Sequence, residues 1–153
     1  MKKWERWTFG LLALSVAVTG FAYGWMKYVI ETDDPFAVVN HPWQGLVLAT
    51  HVIVSPALIL MFGILLNSHI LKKLGLGTAP NRTSGLVSFV TFFGMTATGY
   101  LLQVVTNALL MQILVVVHII SGGVFSLVYV AHLVISVRLS RVQSPRRAVA
   151  EAA

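Results

Sequence analysis

Residues 51–69 read HVIVSPALILMFGILLNSH, a run of hydrocarbon closed by an imidazole at each end. No charged residue interrupts it, and no polar stripe recurs at helical spacing, as it would on a helix with one face in water. A stretch of about 20 apolar residues is what the hydrocarbon core of a bilayer requires of a crossing helix. Eighteen steps of about 100° make five whole turns, so His51 and His69 leave the same face about 27 Å apart along the axis. The stretch therefore reads as a membrane helix with two ionisable groups on one side.

Working outward, the quoted run belongs to a hydrophobic segment covering residues 43–71, and three more of spanning length lie at 7–29, 85–106 and 110–137. The chain has 153 residues, 57% hydrophobic and only 10% charged. A soluble domain carries about 25% charged residues, so this composition cannot clothe a water-facing surface. Backbone groups in lipid must be satisfied within the segment, which makes each run a helix. The expected fold is all-α: a transmembrane four-helix bundle over residues 1–138, followed by a basic tail at 139–153. The tail SRVQSPRRAVAEAA is small, polar and basic, and is expected to lie on anionic lipid or remain without fixed structure. Met1-Lys2-Lys3 and the small residues Ala22 and Gly24 give the first run some character of a signal peptide. Apolar residues continue through Trp25 and Met26, so the expectation is a retained spanning helix.

Ten of the eleven basic residues fall at the N-terminus (Lys2, Lys3, Arg6), after the second run (Lys72, Lys73, Arg82) or in the tail (Arg138, Arg141, Arg146, Arg147). Only Lys27 falls on the other side, beside Glu31, Asp33 and Asp34. The positive-inside rule then places both termini in the cytoplasm. It also accounts for the net charge of +6 without nucleic acid, which is not an expected partner. Cysteine is absent, which excludes disulfides, iron–sulfur ligation, zinc–thiolate sites and covalent c-type haem. The runs hold no Asp, Glu, Lys or Arg beyond their ends, an argument against a proton pump, an ion channel or a charged-solute carrier.

Four of the five histidines lie within the runs: His51 and His69 in the second, His118 and His132 in the fourth. The fourth-run pair is fourteen residues apart, within about 40° of whole turns, and so also shares a face. With both termini inside, these two helices run in the same direction. His51 and His118 then fall at matched depth near the outer surface, and His69 and His132 near the inner one. Ionisable groups inside a membrane are expensive and usually face the bundle interior. One such histidine alone often serves only as an interhelical hydrogen bond. Four at matched depths read better as two facing pairs, each a bis-axial ligand set for haem iron. Zinc or copper would want three or four ligands around one point, and the spacing along each helix forbids a single shared centre.

Carried by His51, His69, His118 and His132 and by the glycines near them, the chain resembles the four-helix dihaem cytochrome b family. That family includes bacterial b561-type proteins and the haem-bearing half of respiratory cytochrome b. The resemblance covers residues 7–138. The interval from His118 to His132 matches the respiratory pattern, whereas His69 lies four residues beyond the position that pattern would use. The first run holds no histidine, although some b561-type members take a ligand there. The resemblance implies two haem b groups, His51 with His118 on the outer one and His69 with His132 on the inner. It also implies exchange of electrons with quinone or quinol, and location in a bacterial cytoplasmic membrane. Arg82, with Lys72, Lys73 and Arg138, lies where inner propionates would emerge. Gly63, Gly94, Gly99, Gly122 and Gly123 would let a porphyrin approach the backbone, or else serve ordinary helix packing.

The outer segment DDPFAVVNHPWQ, residues 33–44, holds His41 and Asp34, either of which could accept a proton from quinol. A solvated acidic loop leading into a helix with Pro42 at its first position is the favoured reading. Three functions remain in play. The first is an electron-transfer subunit working with a c-type cytochrome or an iron–sulfur or flavin subunit. The second is a stand-alone b561-type quinone-linked oxidoreductase. The third is a non-redox scaffold or assembly subunit whose histidines are interhelical hydrogen bonds.

Overall fold

The computed structural model describes residues 2–34, 36–66 and 82–151, with side chains as far as Arg138 and that of Arg82 excepted. Its elements are four helices: α1 (Lys3–Tyr28), α2 (Gln44–Leu65), α3 (Arg82–Val104) and α4 (Ala108–Glu151). All four are long and apolar enough to cross a membrane, α4 through its portion Ala108–Arg138. No strand occurs among the described residues. Large apolar side chains such as Leu60, Leu127 and Val130 stand exposed along the helices, as lipid-facing residues do when the bilayer is the solvent.

The chain divides into two compact units, one ending at Lys72 and the other beginning at Lys73. The first is a hairpin of α1 and α2, the second a hairpin of α3 and α4. In the first, Asn40 reaches back to Lys27, His51 meets Thr19, and Phe62 meets Phe9, so the partners move in opposite directions along the chain. In the second, His118 meets Thr98, Phe125 meets Phe92 and His132 meets Ser84, the same antiparallel progression.

Local chemistry explains where the helices begin. The Glu5 carboxylate accepts a hydrogen bond from the Lys2 N–H at 2.8 Å, one arm of a capping box closing the start of α1. Asn40 ties the loop end of the first hairpin: its Nδ2–H donates to the Lys27 carbonyl at 3.0 Å, and its N–H donates to Gln44 Oε1 at 3.1 Å. Asn107 caps α4, its Oδ1 accepting from the Leu110 N–H at 3.0 Å. Several hydroxyls within the spans return to their own helix, as Ser15 does to Leu11 O and Thr91 to Val87 O, whereas the buried Ser88 hydroxyl has no hydrogen-bond partner among the described residues. Pro42 precedes the capping residue Trp43, so it lies before the first helical position it was expected to fill. Helix α2 runs unbroken through Pro56.

The tail differs from its expectation in one respect. The backbone of α4 stays helical to Glu151, past the apolar limit near residue 137. Ala, Arg, Gln and Glu in this stretch are good helix formers, and the helix continues through Pro145, which itself disfavours a helix interior.

Candidate functional site

Three of the four span histidines lie among the described residues, and each rests on the preceding helix of its own hairpin. His51 projects from α2 onto α1, where its Nδ1 lies 3.0 Å from the Val16 carbonyl oxygen and 3.2 Å from Thr19 Oγ1. His118 projects from α4 onto α3, where its Nδ1 lies 3.0 Å from the Met95 carbonyl oxygen and 3.1 Å from Thr98 Oγ1. His132, one level further along α4, places its Nδ1 3.1 Å from Ser84 Oγ.

The carbonyl contacts decide a tautomer. A carbonyl oxygen can only accept, so Nδ1 of His51 and of His118 must carry the proton and donate it. In a neutral ring the lone pair then belongs to Nε2. A histidine that ligates a metal is commonly held in this way, donating its second nitrogen to a carbonyl that fixes tautomer and ring orientation.

Glycine makes the close approach possible. A Cβ added at Gly20 would sit 2.9 Å from Cε1 of His51, and one at Gly99 would sit 3.1 Å from Cε1 of His118. Both distances are tighter than ordinary van der Waals contact, so the rings occupy volume that any side chain would claim. At Gly85 the corresponding distance to His132 Cε1 is 3.7 Å, an ordinary contact. Each ring therefore sits on a Ser/Thr-Gly pair: Thr19-Gly20, Thr98-Gly99 and Ser84-Gly85. The role foreseen for Gly99 changes accordingly, since its missing side chain makes room for His118 on the partner helix. A Cβ added at Gly94 would sit 3.8 Å from Ser121 Cβ and one at Gly122 3.5 Å from Met95 Sδ, both ordinary helix packing. A Cβ at Gly63 or Gly123 would meet nothing within 4 Å.

On α4 the two rings sit fourteen residues apart on one continuous helix, about 21 Å of rise. They cannot serve one metal ion. Among the described residues no three His, Cys, Asp or Glu side chains come together as a metal cluster. On α4 each ring has one further nitrogen, Nε2, besides the Nδ1 that lies against α3.

No family model, curated protein or solved structure matches the chain. The reading of the site therefore rests on this geometry and on the sequence pattern.

The remaining expected site residues divide into two groups. His69, Lys72 and Lys73 lie outside the described residues, as does the side chain of Arg82, whose backbone opens α3. His41 and Asp34 are described and have local duties. His41 Nδ1 accepts the Trp43 N–H at 3.2 Å, and its ring meets the Trp43 ring edge-on at 6.0 Å. Asp34 Oδ1 accepts the Phe36 N–H at 2.9 Å, a turn contact. Both contacts match the favoured reading of a loop leading into a helix.

Val16, Thr19, Gly20, Ser84, Gly85, Met95 and Thr98 did not emerge from the sequence as site residues. A signal was present. The sequence holds four Ser/Thr-Gly dipeptides, and three of them support histidines; the fourth, Ser121-Gly122, packs on α3.

Proposed function

We propose that the protein is a membrane dihaem b-type cytochrome that carries electrons across the bilayer between a quinone pool and a redox partner. The observation that carries this reading is the donor set: His51 and His118 each hold Nδ1–H on a backbone carbonyl and so present Nε2 as a neutral ligand. His51 and His118 would be the axial ligands of the outer haem, and His69 and His132 those of the inner one. When bound, haem iron supplies one-electron exchange at each level. The protein's part would be to hold the imidazoles of His51 and His118 in one tautomer, exclude water with an apolar shell and carry two levels on a common helix.

Both termini would lie in the cytoplasm of a bacterial cell, with Arg82 and Arg138 on the side of the inner propionates. Quinone or quinol would exchange electrons at one surface, and a c-type cytochrome or an iron–sulfur or flavin subunit at the other. The scaffold reading keeps one observation in its favour, because the Nδ1 bonds are themselves interhelical hydrogen bonds. Against it stands the use of the same nitrogen on all three rings and of close glycine seats, neither of which a simple helix tie requires.

Colour separates the two readings. Purified protein reduced with dithionite should show a Soret band and α-bands, and a pyridine haemochrome assay should find two haem b per chain. A colourless, folded protein would remove the cytochrome reading. His118→Ala should delete one spectral component and His132→Ala the other.

A further inference from the structure

The hydroxyls of Thr19 and Thr98 stand in the same relation to their histidines, and their proton inventory decides what they do there. Thr98 Oγ1 lies 2.7 Å from the Gly94 carbonyl oxygen and 3.1 Å from that of Met95. A hydroxyl has one proton, and the shorter contact takes it. The oxygen that faces His118 Nδ1 at 3.1 Å therefore presents a lone pair. Thr19 repeats the pattern, 2.7 Å from Ser15 O and 3.2 Å from His51 Nδ1. Each Nδ1–H is thus shared between two acceptors, a carbonyl and a threonine oxygen whose own proton is committed elsewhere. Thr98 is buried, so the bond forms away from water, where it is electrostatically stronger.

We infer that Thr19 and Thr98 are positioning residues that tune the electron density of Nε2 on His51 and His118. Two acceptors draw the Nδ1 proton outward, and the ring moves toward imidazolate character and becomes a stronger donor at Nε2. The inference rests on the haem reading for its consequence: a more basic axial ligand stabilises the oxidised iron and lowers its potential. Threonine to valine removes one acceptor, keeps the shape of the side chain and leaves the carbonyl bond in place. Threonine to serine restores the oxygen.

The test uses the full-length protein in detergent, reduced with dithionite and labelled with 15N in histidine. In Thr98→Val the Nδ1–H proton resonance of His118 should move upfield while the ring stays in the same tautomer, and Thr98→Ser should restore the wild-type position. Thr19→Val should do the same at His51. On redox titration both valine variants should keep their haem and raise the midpoint potential of the same component, with the serine variant close to wild type. An unmoved Nδ1–H resonance, or an unmoved potential in haem-replete valine variants, would overturn the inference while leaving the cytochrome reading intact. A wild-type protein without haem would instead fail the cytochrome reading, and the resonance shift would still decide what the threonines do to the rings.

Discussion

At the scale of single residues, glycine is the sharpest test of the site. Gly20, Gly99 and Gly24 all lie in apolar membrane helices, where alanine is ordinarily tolerated. Gly24 has nothing within 4 Å of an added Cβ, whereas Gly20 and Gly99 have an imidazole carbon at 2.9 and 3.1 Å. Overpacking of this kind typically costs about 1–3 kcal/mol, or displaces the intruding ring. Gly20→Ala and Gly99→Ala should both weaken the same spectral component, because both seats belong to the histidines assigned to the outer haem. Gly24→Ala should leave the spectrum unchanged, and Gly85→Ala should spare the outer component. If Gly20→Ala and Gly99→Ala affect different components, the pairing of His51 with His118 is wrong. The histidines themselves were legible in the sequence because an ionisable group in a hydrocarbon run stands out at once. Their seats were not. Thr19 and Thr98 look like ordinary small residues until the hairpin register brings each opposite its ring.

At the scale of elements, the four spans were readable because run length and the absence of charge are local properties. Helix ends were less so. Val105 to Asn107 lie between the helices, with the Asn107 side chain capping α4, and the α4 backbone stays helical past its apolar stretch although Pro145 lies in it. The hairpin cores depend on aromatic contacts between helices. Phe92 and Phe125 meet edge-on across the hairpin with centroids 5.4 Å apart, and Phe125 stacks on Tyr129 of its own helix at 5.8 Å. Phe125→Ala should destabilise the second hairpin, but by less than the roughly 3–5 kcal/mol typical of a soluble core. Lipid is as apolar as the phenyl ring, so the loss is of packing and not of burial from water. Thermal unfolding in detergent measures this, with Phe93→Ala, on an exposed phenylalanine, as the reference that should move little. Equal effects from the two would mean that the Phe92–Phe125–Tyr129 cluster carries no special share of hairpin stability.

At the scale of the whole molecule, the outstanding questions are which way the chain faces and what it meets at each surface. Because cysteine is absent, single introduced thiols report cleanly on orientation. Thr32→Cys, in the acidic loop after α1, should react with an impermeant maleimide added from outside. Ser144→Cys should react only after the membrane is opened. The loop carries Glu31, Asp33 and Asp34, and the opposite ends carry nearly all the Lys and Arg. Electrons passed between two haem levels would have to enter and leave at the membrane surfaces, so a donor or acceptor docked at one of them is the expected arrangement. The outer carboxylates would favour a basic partner such as a c-type cytochrome, and the inner cations an acidic iron–sulfur or flavin subunit. Charge of this kind acts chiefly on encounter rate, so the effect should appear as salt dependence. Reversing the loop charge with Asp33→Lys and Asp34→Lys should slow electron exchange with a basic cytochrome at low ionic strength. The difference should shrink toward nothing as salt is raised. Gentle solubilisation followed by mass measurement should recover the chain with at least one further redox subunit. A chain that migrates alone and exchanges electrons between quinol and a small-molecule partner, with rates indifferent to the loop charge, would instead establish a self-sufficient quinone-linked oxidoreductase.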